Sequence, residues 1–200
     1  MIKLPPVTPD LHVSSSLAIV ASSSRILSSD YGETIDSFDD VVRFNRAPVD
    51  TFESHVGSKT TIRVANNHVF GNIPHEGWKS TSQPTNFIRD QRNVKILHLG
   101  IRQFWGEREK HIHESCSAFL VDYEYIDSLS LTLGFRPSGG FCLLTLCIEA
   151  GIKPAIFGYG VDEESYGHYF DPNSVSSHEF SKERETIKFW IEEKKVVFYP

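Results

Sequence analysis

Asn45 closes the short apolar run "DDVVRFN", Ser22 to Ser24 close "SLAIVASSS", and Ser138-Gly139-Gly140 open the leucine-rich stretch "PSGGFCLLTLCIEAG". An amide at a strand end can hydrogen-bond a nucleotide, and small residues at a strand end let backbone and ligand approach closely. A Ser-Gly-Gly helix start offers N–H groups and the positive end of the helix dipole to a phosphate. Each feature also has an ordinary explanation. Asn45 fits a polar turn after a buried strand, and Ser138 fits a helix cap, which this stretch by itself favours. Two other constellations are weaker. His111-x-His113 with Cys116 has metal-ligating residue types but no fourth ligand at a zinc-ribbon spacing, and it reads as a solvated helix face. "HVGSKTT" lacks the adjacent Gly-Lys-Ser/Thr and the earlier glycine of a P-loop, so it is no ATP site.

The elements that must position these groups are short and punctuated. "SLAIVASSS", "DDVVRFN", "TTIRVAN", "NVKILHLG", "KPAIFGYG" and "KKVVFYP" read as strands, two of them closed by glycine as central strands often are. "PSGGFCLLTLCIEAG" is too long for a strand and ends on Gly151, which predicts a buried helix. "SSHEFSKERETIKFWIEEKK" predicts a second helix with Phe180, Ile187, Trp190 and Ile191 on one face, and Ser176 with Glu179 forms a capping box at its start. That alternation predicts an α/β fold, a single-domain Rossmann-like, mostly parallel sheet with flanking helices. Ligands of such sheets gather beyond the carboxyl ends of the strands, where the candidate residues lie. Residues 1–14 read as a loose N-terminal arm and residues 15–200 as the domain.

The 200 residues, 40% hydrophobic and 23% charged, suit one soluble domain with a sizeable core. A net charge of -6 without long like-charge runs argues against a nucleic-acid partner. Three cysteines, Cys116, Cys142 and Cys147, make no disulfide framework, and no stretch has the roughly 18 apolar residues of a membrane span. A cytoplasmic or other reducing compartment is the expectation.

Taken together and in order, several stretches resemble the four sialylmotifs of the eukaryotic-type sialyltransferases. The large motif resembles "LAIVASSSRILSSDYGETIDSFDDVVRFNRAPVDTFESHVGSKTT", with Tyr31-Gly32, Ile35-Asp36, the Arg43 to Pro48 run and the Val56 to Thr61 run in register. The small motif resembles "RPSGGFCLLTLCIEAGIKPAIFGYG". The third resembles "HYFD" at His168 to Asp171, and the very small His-x4-Glu motif matches His178 and Glu183. The resemblance implies a Rossmann-like variant of the glycosyltransferase A fold. It also implies an inverting transfer of sialic acid from CMP-sialic acid to a hydroxyl of a glycan or glycolipid acceptor. Such a transfer needs a base for the acceptor hydroxyl, stabilisation of the departing phosphate and contacts that hold the nucleotide.

The catalytic base implied by the resemblance is His178, against the plainer possibility of a polar residue in a first helical turn. Placed two positions inside a helix start, its ring would be kept neutral by the dipole. The resemblance puts His168 on the donor phosphate, against the possibility of a surface-loop histidine. It puts Asn45, Ser22, Ser23, Ser138, Gly139 and Gly140 against the donor, with Arg43, Arg46 and Asp36 as structural groups and Glu183 open. The donor is a substrate, no cofactor is implied, and no metal is expected, because CMP leaves with one phosphate and no Asp-x-Asp occurs.

Departures from the pattern bear on these expectations. Ser22 stands where the family has an asparagine, and Ala21 where it has a glycine. Leu17 and Gly151 stand where the family pairs two cysteines, which fits a reducing compartment. Trp78, Phe87, Phe104, Trp105, Tyr123 and Tyr125 could stack on an acceptor sugar or serve as core. Two alternatives accompany the sialyltransferase expectation: a transferase for another CMP-activated keto-sugar such as Kdo, and a CMP- or glycan-binding module without turnover.

Overall fold

Leu17 and Ile19 face one apolar cluster and Ala18 and Val20 the other, so every residue of strand β4 (Leu17–Val20) is buried. A strand covered on both faces needs no polar alternation, which is why this run is continuously apolar. The structure is a computed structural model that describes residues 1–66, 69, 93–99, 118–162, 167–174 and 178–200.

Three two-residue strands open the chain: β1 (Ile2–Lys3), β2 (Val7–Thr8) and β3 (His12–Val13). After β4 come β5 (Asp40–Phe44), β6 (Ile62–Ala65), β7 (Lys95–His98), β8 (Phe119–Val121), β9 (Ala155–Phe157) and β10 (Val197–Tyr199). The eight-stranded sheet has the order β10-β9-β4-β5-β6-β7-β8-β2. All its pairings are parallel except the edge pairing of β2 with β8. The strand order reverses beside β4. From β4 the chain winds outward through β5 to β8, then returns to add β9 and β10 on the other side. In open α/β sheets, a crevice at such a switch point is where ligands bind. The expected mostly parallel α/β fold is therefore present.

Residues 1–14 depart from expectation. They are packed rather than loose: β2 forms the sheet edge, β1 pairs with β3, and Leu4, Val7, Leu11 and Val13 are buried. The apolar contacts are carried by single residues between prolines and polar positions, so no hydrophobic run announces them.

Five α-helices are described: α1 (Gly32–Asp36), α2 (Glu53–Val56), α3 (Tyr123–Leu133), α4 (Gly139–Glu149) and α5 (Phe180–Glu192). The leucine-rich stretch is the buried helix α4, with Phe141 through Cys147 all buried. α5 buries Glu183 and Ile187, with Trp190 and Ile191 packed partly against the same core. Its start differs from the expected capping box. Glu179 is the cap residue and makes no side-chain cap bond, because its carboxylate pairs instead with Lys182 at 2.6 Å. Ser176 lies outside the described residues. Phe180, in the first turn beyond the core rim, is 41% exposed rather than buried.

Candidate active site

The carboxyl ends of β4 and β9 are stitched together by backbone. The Ala21 N–H donates to the Phe157 carbonyl at 2.8 Å and the Ser23 N–H to the Gly158 carbonyl at 3.1 Å. Gly158 has a φ of +66°, and a Cβ there would stand 2.7 Å from the Ala21 carbonyl oxygen, so a side chain at this crossing is excluded. The third-motif segment returns onto the same edge. Ser24 N–H donates to the Gly167 carbonyl, Tyr169 N–H to the Ser22 carbonyl, and Ser23 bridges to His168. Ser22 and Ser23 thus tie these strand ends and the third-motif segment together through their backbones. The Ser23 hydroxyl accepts from the Arg25 N–H to cap a following 3-10 turn, Ser24–Ser28.

His168 is held by its own backbone N–H, which donates to the Asp171 carbonyl and the Ser174 hydroxyl, while its ring stacks on Phe170 at 5.0 Å. Partial burial lowers its pKa from the ordinary value, against an opposing pull from Asp171. A bound phosphate would add a second anion and raise it. Tyr169 is buried beneath, and its hydroxyl donates to the Pro48 carbonyl in the loop after β5.

That loop carries Asn45, whose φ of 47° is left-handed. Three bonds hold it there: its N–H donates to the Val64 carbonyl, its carbonyl accepts from Arg63 Nη1 at 2.9 Å, and its side-chain oxygen accepts from the Asn66 N–H at 3.1 Å. The exposed amide has its NH2 end to offer to a ligand. Arg43, fully buried, donates to the carbonyls of Val56, Gly57 and Lys59 and to the Thr60 hydroxyl. Asp36 accepts from the N–H groups of Ser58 and Lys59 and from the Ser58 hydroxyl. Both are structural, as expected of them.

The start of α4 leans over these strand ends. A Cβ on Gly139 would meet Leu99 at 3.3 Å and Phe44 at 4.0 Å, the residues that follow β7 and end β5. The buried Tyr159 hydroxyl, kept protonated by burial, donates to the Gly140 carbonyl at 3.2 Å. Ser138 caps the helix, its hydroxyl oxygen accepting from the Phe141 N–H at 3.2 Å. Its two protons go to Glu183: the N–H at 2.5 Å and the hydroxyl at 2.7 Å. The donors left for an anion at this helix start are therefore the N–H groups of Gly139 and Gly140.

His178 lies just ahead of α5, next to the chain that leads into α4. Its position is a correction: it precedes the cap residue Glu179 instead of sitting inside the helix. Its pKa is lowered, as anticipated, but the cause is different. Burial lowers it most, a hydrogen bond with the Arg136 backbone opposes this, and the Arg136 charge lowers it further. The ring is thus neutral at neutral pH and able to take a proton.

The sequence model of glycosyltransferase family 29 (sialyltransferase) matches residues 9–195 of this chain. The chain belongs to this family. Beta-galactoside alpha-2,6-sialyltransferase 2 of Homo sapiens is 50% identical over 60 residues, 30% of this chain and 11% of that protein. CMP-N-acetylneuraminate-beta-galactosamide-alpha-2,3-sialyltransferase 1 of Gallus gallus is 28% identical over 181 residues, 82% of this chain and 49% of that protein. The chain therefore spans about half the length of the Gallus gallus relative and matches a shorter part of the human one. Among solved structures, a mammalian sialyltransferase in complex with Gal-beta-1-3GalNAc-ortho-nitrophenol superposes with a TM-score of 0.66 at 19% identity, covering 92% of this chain and 68% of that one. The monofunctional alpha-2,3-sialyltransferase Cst-I from Campylobacter jejuni gives 0.58 at 16% identity, covering 96% and 78%. The fold is shared with these glycosyltransferase A-like enzymes.

Within this sialyltransferase fold, Ser22, Ser23 and His168 meet at the β4–β9 crossing, Asn45 lies at the end of β5, and Ser138 with its glycines joins Glu183 and the His178 segment. Sequence reasoning did not anticipate Arg63, Arg136 or Tyr159. Arg63 carried a usable signal, an arginine inside an apolar strand, whereas the Tyr159 hydroxyl on the Gly140 carbonyl and the Arg136 backbone and charge on His178 are contacts between distant segments that no local pattern reports. His111, His113, Cys116, Trp78, Phe87, Phe104 and Trp105 lie outside the described residues. Tyr125 packs partly against the core with its hydroxyl on Glu149 at 2.8 Å, which is the core role rather than a sugar platform. Among the described residues, no group of three or more His, Cys, Asp or Glu could hold a metal ion, and no helix is long and apolar enough to cross a membrane.

Proposed function

We propose that this protein transfers a sialic acid from CMP-sialic acid to a hydroxyl of a glycan acceptor, with inversion and without a metal. The observation that carries this is the meeting of a neutral, half-buried His178 with the segment that leads into a glycine-opened helix over the strand ends. In this scheme His178 takes the proton of the acceptor hydroxyl as that oxygen attacks the anomeric carbon. The Gly139 and Gly140 N–H groups receive the phosphate that leaves with CMP, and His168 donates a hydrogen bond to it. Asn45 binds the nucleotide through its amide. One phosphate charge is within reach of a helix start and a histidine, so the scheme needs no divalent cation.

The test is CMP release from CMP-sialic acid and CMP-Kdo with mixed glycan acceptors, for wild type and His178→Ala. Turnover of CMP-sialic acid should fall by roughly 10²–10⁴-fold in His178→Ala, the range for loss of a general base, while CMP still binds. CMP-Kdo is included because the named groups address the nucleotide and phosphate rather than the sugar. A wild type that binds CMP but releases none from either donor would favour a binding module and overturn the transferase.

A further inference from the structure

Glu183 is 3% exposed, in the first turn of α5, and no cation pairs with it among the described salt bridges. Its carboxylate is held by one residue, Ser138, through the N–H at 2.5 Å and the hydroxyl at 2.7 Å. A few residues earlier on the same segment, His178 makes its bond with the Arg136 backbone. The two segments are therefore joined at two points, 136 to 178 and 138 to 183. One tie would leave a hinge, and two fix the orientation. We propose that Glu183 is a positioning residue that locks the His178 segment to the start of α4, so that base and phosphate cradle keep one relative geometry. This rests on the roles given above to His178 and to the α4 start.

The chemistry of the tie separates it from ordinary packing. A buried carboxylate is costly and an apolar side chain would fill the space at least as well for stability, but it would give no direction to Ser138. By taking both Ser138 protons, Glu183 holds the hydroxyl so that its oxygen faces the Phe141 N–H and the helix start is kept in one conformation. The carboxylate also places a negative charge beside an anion site. It opposes phosphate binding while it fixes the angle at which the base meets the donor. Loss of Glu183 should accordingly reduce kcat without weakening nucleotide binding, because misplacement of a base acts on the transition state rather than on the ground-state complex.

The experiment compares wild type, Glu183→Ala and Glu183→Gln. Gln has the same length, lacks the charge, and can still accept from the Ser138 N–H and donate to its hydroxyl oxygen. Turnover, CMP affinity by calorimetry and the His178 ring titration by NMR are read on each. In Glu183→Ala, kcat should fall about tenfold or more while the CMP Kd stays within about threefold or tightens, and Glu183→Gln should restore kcat to within about threefold. The His178 midpoint should rise toward its ordinary value in Glu183→Ala relative to Glu183→Gln, a comparison in which the charge is absent from both. Should Glu183→Ala not fold, Ser138→Ala, which removes only the hydroxyl tie, should give the same kcat loss in smaller degree. The proposal is overturned if kcat and CMP affinity fall together, or if the Ala and Gln variants share one kcat and one His178 midpoint. A wild type without turnover overturns the transferase assignment instead, and the titration arm then decides the tie by itself.

Discussion

If His178 is the base, as proposed, it and Arg136 set the acid side of activity. Burial disfavours the imidazolium, the bond with the Arg136 backbone favours it, the Arg136 cation disfavours it, and the net pKa lies below the ordinary 6.5. A base with a lowered pKa stays competent to lower pH, so kcat/KM should hold until pH falls below 6.5 and then decline. Arg136→Gln keeps the backbone bond and removes the cation, so the acid limb of the pH–rate profile should move to higher pH. An acid limb that stays in place would mean that the Arg136 charge does not reach the base. The same shift enters stability with a fixed sign. The unfolded chain takes up the proton near 6.5, before the folded ring does, so this contribution is present above 6.5 and lost as pH falls toward the folded value.

The element that presents Asn45 depends on the register of β5 and β6. Arg43 and Arg63 face each other in that pairing, both buried, and each donates to loop carbonyls. Burial, then the Arg43 charge, lowers the Arg63 pKa to about 10, which leaves it charged at neutral pH. Arg63→Met would remove its bonds to the Asn45 and Ala47 carbonyls, and a buried acceptor left unsatisfied costs about 1–3 kcal/mol. Part of that should appear as lost control of the left-handed Asn45: CMP affinity about tenfold weaker by calorimetry, or about 1.4 kcal/mol. Unchanged CMP affinity in a variant with a lowered Tm would confine Arg63 to stability. At this scale the sequence was legible where apolar runs were continuous: β4, β5, β6, β7, β9 and β10 all fall inside runs visible as strands. β8 and α3 were not, because Phe119–Val121 is very short and α3 buries no residue fully. Asp122 as cap and left-handed Gly134 at its end were the readable signals of α3.

On the scale of the whole molecule, the sheet's reversal beside β4 gathers residues from both ends of the chain at one edge. In the proposed scheme the positive end of α4 and two histidines serve a leaving group with a single phosphate. Turnover should consequently persist in excess EDTA to within about twofold of the untreated rate, since no step calls for a Lewis acid. A loss of about tenfold or more that Mg²⁺ or Mn²⁺ restores would assign a metal to the reaction and overturn the metal-free scheme.

The order of the motifs, the strand runs and the apolar helix were determined by the sequence itself, because burial on both faces demands continuous apolar stretches and helix starts have their own chemistry. The tertiary structure decided what those residues do to one another. It packed the N-terminal residues into the sheet edge, moved His178 ahead of the helix expected to enclose it, and spent both Ser138 protons on Glu183. Those outcomes rest on contacts between segments far apart in the chain, and neither periodicity nor local capping reports which partner a buried polar group will find.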